Sequence, residues 1–166
     1  MNFDTITVQE AVRRSLQTEK NAMDFYRLGA EKMKDPEAKR VFDLLAAEER
    51  GHAGSFFKIY TGADIPSLDL FLDQPPHAES DWITSLNRII DADFTEQKAM
   101  EIALVKEQQL EEALNKMADQ ITDPQVKAVF AQNSRETHNH YLMIESEYAR
   151  VMGMVHESDM DTFVRE

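Results

Sequence analysis

Two stretches of this 166-residue chain follow one pattern. When residues 10–60 are shifted by 88 positions, the spacing between Leu16 and Leu104, Glu19 falls on Glu107 and Asp35-Pro36 falls on Asp123-Pro124. Lys39, Val41 and Phe42 fall on Lys127, Val129 and Phe130, Glu48 falls on Glu136, His52 on His140, and Tyr60 on Tyr148. A repeat of that length points to two copies of one supersecondary unit stacked on each other. Each copy consists of two long segments with no proline beyond the first turn and with apolar residues three and four apart, so the unit is a helical hairpin. The first segment runs from about Thr7 to Met33 with the stripe Val8, Val12, Leu16, Met23, Tyr26, Ala30 and Met33. The second opens at Asp35, a capping residue, with Pro36 in the first turn, and carries Val41, Leu45, Phe56 and Ile59. The third runs from about Thr95 to Ile121, and the fourth starts at Asp123-Pro124 and carries Val126, Phe130, Ile144, Tyr148 and Val151. At ~1.5 Å per residue each helix is roughly 40 Å long. Helices with one apolar face bury it against each other, so the expected fold is all-α, an antiparallel four-helix bundle of two repeated hairpins.

The breakers gather between the hairpins. Gly62, Pro66, Pro75 and Pro76 lie within residues 61–80, and residues 61–94 are long enough to cross the bundle as one connection. Within it, "SDWITSLNRIID" reads as a short extra helix. The expected organisation is one domain over 1–153, with the crossover at about 61–94 and a weakly specified tail at 154–166. The crossover also carries Ile65, Leu68, Leu70, Phe71 and Leu72, more apolar surface than a free loop exposes. It is expected to pack on the bundle or on a second subunit, with a homodimer as the expected assembly.

Near mid-length, every apolar stripe is interrupted by a polar residue. These are Glu19 on the first helix, Glu49 and His52 on the second, Glu107 on the third and His140 on the fourth. Burying such groups without partners costs several kcal/mol. In Glu-x-x-His the two side chains stand about one turn apart on one face and can reach one cation from the same side. A Glu from each of two helices, with Glu-x-x-His on the others, is the ligand set of di-iron carboxylate bundles. Taken singly, a stripe Glu is often a salt-bridged edge residue and a buried His a hydrogen-bonded core residue. Together, at equivalent places in both halves of a repeat, they point to a metal.

Composition narrows the alternatives. The chain has no cysteine, which excludes disulfides, zinc-thiolate sites, iron–sulfur clusters and cysteine nucleophiles, so a metal must be held by His, Glu, Asp or backbone oxygen. A net charge of −13, from 31 acidic against 18 basic residues, argues against nucleic-acid binding. "MNFDTITVQE" has neither the basic stretch nor the apolar run of a signal peptide, and no 18-residue apolar window suggests a membrane span. A cytoplasmic location is the expectation. Five scattered histidines do not supply a His-rich oxygen-binding site of the hemerythrin kind, and His77, His138 and His156 are assigned no role.

"TEKNAMDFY" (18–26), "DPEAKRVFDLLAAEERGH" (35–52) and "DPQVKAVF" (123–130) resemble segments of the rubrerythrin branch of the ferritin-like superfamily. The resemblance extends over about residues 7–151. It implies a carboxylate-bridged centre of one or two ions, iron before other divalent metals, acting in peroxide reduction or related dioxygen chemistry. The implied ligands are Glu19, Glu49, His52, Glu107 and His140, with Glu49 and Glu107 bridging and the others terminal. Tyr26 matches a family tyrosine beside the metals and is the one catalytic candidate, a core phenol being the alternative reading. With no cysteine for a rubredoxin-like iron domain, electrons are expected from an external donor, a separate protein or small molecule.

Two positions depart from the resemblance. The residue equivalent to Glu49 is Thr137, so the second motif reads Thr-x-x-His. The adjacent Glu136 is turned about 100° away along the helix, toward the bundle flank. A further family carboxylate one turn before Glu107 is replaced by Leu104. The first hairpin thus offers the fuller ligand set, and one tighter and one weaker metal position are expected. These departures also support an alternative: a ferritin-like binding or scaffold module with a degenerate site and no turnover. Iron storage is a third reading, for which the chain offers no cage-forming signature.

Overall fold

The computed structural model describes residues 5–164, with side chains described for residues 5–153. Four long helices are present: α1 (Val8–Lys32), α2 (Pro36–Ile59), α5 (Glu96–Gln120) and α6 (Pro124–Val164), with α3 (Leu68–Leu72) and α4 (Asp81–Ala92) in the crossover. No strand occurs among the described residues. Each long helix starts where a side chain takes up its free N–H groups. Thr7 and Glu10 form a reciprocal capping box at α1. Asp35 Oδ1 accepts from the N–H of Glu37 and Ala38 at 2.9 and 3.1 Å, with Pro36 in the first turn of α2. Its repeat partner Asp123 accepts from Gln125 and Val126 at 2.9 and 3.3 Å, and Thr95 caps α5 through the N–H of Lys98.

α1 packs along α2, and α5 along α6, forming the two hairpins, while α4 rests against α1 and α5. The turn between α1 and α2 is tied to the second hairpin by Glu96, whose Oε1 accepts the N–H of Lys34 at 2.6 Å and of Asp35 at 3.1 Å. Arg150 of α6 donates to Asp35 from the other side at 2.9 Å.

The core divides into two apolar clusters along the bundle. One gathers Phe25, Tyr26, Phe42, Leu45, Met100, Ala103 and Ile144, with Trp82, Ile83 and Leu86 of α4. The other gathers Val12, Leu16, Phe56, Leu114, Met117 and Phe130, with Ile65 and Leu72 of the crossover. On every long helix the polar stripe residues fall between the two, so the clusters form a dry floor and ceiling to a polar layer. Phe42 sits at the centre of the first cluster, edge-on to Tyr26 at 5.0 Å, and its ring lies against α1 where a Cβ on Gly29 would come within 3.1 Å of it. Phe42→Ala should cost about 3–5 kcal/mol, the cost of emptying a buried aromatic site. Denaturant unfolding followed by the fluorescence of Trp82, the single tryptophan, reads this directly.

The crossover packs on the bundle through Ile65 and Leu72, while Leu70 is 64% exposed. "SDWITSLNRIID" forms α4 as its spacing predicts, capped by Ser80. α3 was not legible beforehand, because five residues after Pro66 are too short to show a period. α6 also differs from expectation: it runs through Gly153 to Val164 instead of ending near residue 152. No glycine among the described residues takes a positive φ, so Gly153 does not act as a helix stop, and no proline follows it. Residues 165 and 166 of the expected tail lie outside the described residues.

Candidate metal centre

The polar layer brings Glu19 of α1, Glu49 and His52 of α2, Glu107 of α5, and Thr137 and His140 of α6 together in the bundle, all buried. Glu49 stands at its centre. Its Oε2 lies 3.2 Å from His52 Nδ1 and its Oε1 lies 3.0 Å from His140 Nδ1. The two imidazoles stack with centroids 4.9 Å apart and planes 11° from parallel. Glu19 Oε2 is 3.8 Å from His52 Nδ1, and Glu107 Oε1 is 3.7 Å from His140 Nδ1. The layer therefore has nearly two-fold symmetry, with Glu19 and His52 on one side of Glu49 and their repeat partners Glu107 and His140 on the other.

A second layer holds the outer edges of the rings, and the connections cross. Glu136 of α6 reaches His52 Nε2 of α2 at 2.8 Å, and Glu48 of α2 reaches His140 Nε2 of α6 at 2.6 Å. An imidazole that donates outward to a carboxylate keeps its other nitrogen available for a cation. Sequence reasoning assigned neither residue a role. Glu136 does leave from the flank and is 40% exposed, but its side chain is long enough to turn back to the neighbouring helix. The available signal was the repeat, since Glu48 and Glu136 are equivalent positions in it. Outside the layer, His138 turns to Glu111 at 3.1 Å on the surface.

Tyr26 donates a short hydrogen bond to Glu107 Oε1 from within the aromatic cluster. Leu104, one turn before Glu107, packs against that same cluster. Between α2 and α6 a cleft of about 480 Å³, lined by Glu48, Gly51, His52, Ser55, Glu136, Asn139 and Met143, leads from the surface to the edge of His52.

Burial and the neighbouring Glu49 push the Glu19 carboxyl well above its ordinary range, and the same two causes push Glu107 up to about 7. Burial acts the same way on Glu49, but its neighbours Glu19, His140 and His52 outweigh it and hold that carboxyl below its ordinary range. Burial alone would lower both histidines. Glu19 and Glu49 instead raise His52 to about 10, and Glu107 and Glu49 raise His140 to about 11. Tyr26 is raised by burial and then by Glu107. The layer is thus strongly electronegative and attracts positive charge, whether protons or a cation.

The residues fit a cation by a second measure. Both oxygens of Glu19, Oε2 of Glu107 and Oγ1 of Thr137 are buried without a hydrogen-bond partner. Orphaned polar atoms of this kind cost about 1–3 kcal/mol each, more when charged, and demand an explanation. Ligand atoms of Glu49, His52 and His140 lie within 4.8 Å of one another. Cations held in this layer would give the orphaned carboxylate oxygens of Glu19 and Glu107 the partners they lack, and a nitrogen and oxygen donor set without sulfur suits iron, manganese or zinc.

Fold and site together define an all-α helical bundle with a buried carboxylate-and-histidine cluster that could hold a metal ion. The chain belongs to the rubrerythrin family, whose model matches residues 10–148. Comparison with curated proteins and with solved structures found no match. Among the described residues, no helix is long and apolar enough to cross a membrane.

Proposed function

We propose that this protein is a di-iron carboxylate oxidoreductase of the cytoplasm that reduces peroxide or reacts with dioxygen, with electrons from a separate donor. The observation that supports this most directly is the Glu49 carboxylate, which offers one oxygen toward each inward-facing histidine nitrogen, with unpartnered carboxylate oxygens of Glu19 and Glu107 beside it. In this reading Glu19 and His52 hold one ion, Glu107 and His140 hold the other, and Glu49 lies between them. Iron, when bound, supplies the electrons and polarises the oxygen–oxygen bond. The chain does the rest. The two apolar clusters keep bulk water from the layer, the cleft admits a small solute, and Tyr26 holds a proton beside Glu107.

The ligand count is the same on both sides, so the two positions differ less than the loss of a carboxylate at Thr137 suggests. The remaining inequality is the hydrogen bond from Tyr26, which engages one oxygen of Glu107 but none of Glu19.

Protein purified without added metal, analysed for metal and titrated with ferrous ion, should take up two ions per chain, and the loaded protein should consume peroxide when supplied with a reductant. The second reading, a binding module without turnover, is favoured by Thr137 and Leu104. Failure to bind metal, or bound ions with no peroxide or dioxygen consumption, would select it, and iron-dependent peroxide consumption would overturn it. The crossed second layer makes its own prediction. Glu48→Gln should weaken metal binding roughly 10–100-fold through His140, and Glu136→Gln by a similar factor through His52. Equal, negligible effects in a metal titration would deny these carboxylates an orienting role.

A further inference from the structure

We infer that the Thr137 side of the centre binds a small planar oxyanion, a carboxylate or bicarbonate, in the place a carboxylate side chain of α6 would otherwise take. This rests on the metal reading above. By the repeat, Thr137 is to α6 what Glu49 is to α2, one turn before a histidine on the same face. Its side chain is shorter than that of Glu49 by the carboxylate itself. The Thr137 hydroxyl is fully buried and has no partner. A helical Ser or Thr ordinarily satisfies its hydroxyl on the carbonyl one turn back. Elsewhere in this chain that happens, with Ser15 bonding Ala11 O at 2.9 Å and Thr18 bonding Arg14 O at 3.0 Å. Thr137 instead keeps an unused donor in the polar layer.

Charge points the same way. Glu19, Glu49 and Glu107 bring three negative charges, one short of two divalent cations, and neutral imidazoles add none. Glu48 and Glu136 stand beyond the rings with side chains about 40% exposed, where water screens them. A monoanion with two oxygens on one carbon completes the balance, with the Thr137 hydroxyl donating to it. The cleft of about 480 Å³ that reaches His52 is lined along α6 by Glu136, the residue next to Thr137, and by Asn139 and Met143.

The test uses full-length protein loaded with cobalt(II), whose visible absorption follows its coordination. Acetate, bicarbonate and chloride are titrated at constant pH and ionic strength. Acetate, bicarbonate or both should give a saturable spectral change, and chloride none at the same concentration. A response to bicarbonate alone assigns the place to the inorganic ion, and a response to both assigns it to small carboxylates in general. Thr137→Val, which keeps the shape and removes the donor, should weaken anion binding about 5–15-fold, the loss of one net hydrogen bond. Thr137→Glu should abolish the anion response while cobalt stoichiometry is kept. A chloride response equal to that of acetate, no saturable response, or an unchanged affinity in Thr137→Val would overturn the inference while leaving the metal reading intact. Failure of cobalt to bind at all would overturn both.

Discussion

Glu49→Gln is expected to remove metal from both positions at once. Among the described residues, Glu49 is the one carboxylate within hydrogen-bonding distance of both inward histidine nitrogens, at 3.2 and 3.0 Å. An amide of the same shape offers one weak oxygen donor and no charge, so each ion loses both a ligand and an attraction. Losing a second-layer partner costs roughly 10–100-fold in metal affinity, and losing the shared ligand should exceed that at both positions. Glu19→Gln and Glu107→Gln should each weaken mainly one side. Calorimetric titration with a redox-inert divalent ion, with circular dichroism confirming the fold, separates these outcomes. If Glu49→Gln lost only one position, the central placement of that residue between two ions would be wrong. The same titration carries a pH sign. His52 and His140 are raised to about 10 and 11, so at neutral pH a cation must displace protons from the nitrogens it binds. Affinity should therefore rise with pH across about 6–8, with protons released on binding. A pH-independent affinity would count against imidazole ligation.

The largest loss of stability from a polar substitution is expected at Lys20. It is buried in α1, its ammonium 2.6 Å from Asp24 Oδ2, and both side chains are nearly inaccessible. The same ammonium donates to the carbonyls of Gln74 and Pro75 at 2.9 and 3.5 Å, fastening the crossover to the bundle. Lys20→Met leaves the Asp24 carboxylate buried, with only the half-exposed Arg27 at 3.5 Å as a charged neighbour. Removing one partner of a buried pair costs about 3–5 kcal/mol. At about 2–4 °C per kcal/mol for a chain of this size, the midpoint of thermal unfolding should fall by roughly 6–20 °C. Replacing both partners, as Lys20→Met with Asp24→Leu, should recover most of this, because no unpaired charge is left behind. The tether to Gln74 stays broken in the double variant, so faster proteolysis within residues 61–80 should persist in it. Strictly additive losses would show that the two residues do not act as a pair.

The sequence alone determined what is local or periodic. Asp35-Pro36 and Asp123-Pro124 marked helix starts because a cap acts within three residues of itself, and α1, α2 and α5 begin and end within a residue or two of where the spacing places them. The apolar stripes predicted which faces are buried, and the polar residues set into them, Glu19, Glu49, His52, Glu107 and His140, do lie together in one layer. The repeat made that legible, since equivalent residues of two stacked hairpins fall at one level of the bundle. What lies across helices was decided only by the tertiary structure. A helical period fixes the angle of a side chain about its own axis, but not how far it reaches or which neighbour stands at that height. Glu136 was therefore read as pointing away, although its length carries it to His52, and Glu48 went unread although it closes the reciprocal contact with His140. In the same way nothing local in the sequence marks Lys20 and Asp24 as buried, because what covers them is the crossover, a segment more than 50 residues away in the chain. The side of Glu49 on which Glu107 stands also depends on the rotation of one hairpin against the other, a property of two packed surfaces that no single helix encodes.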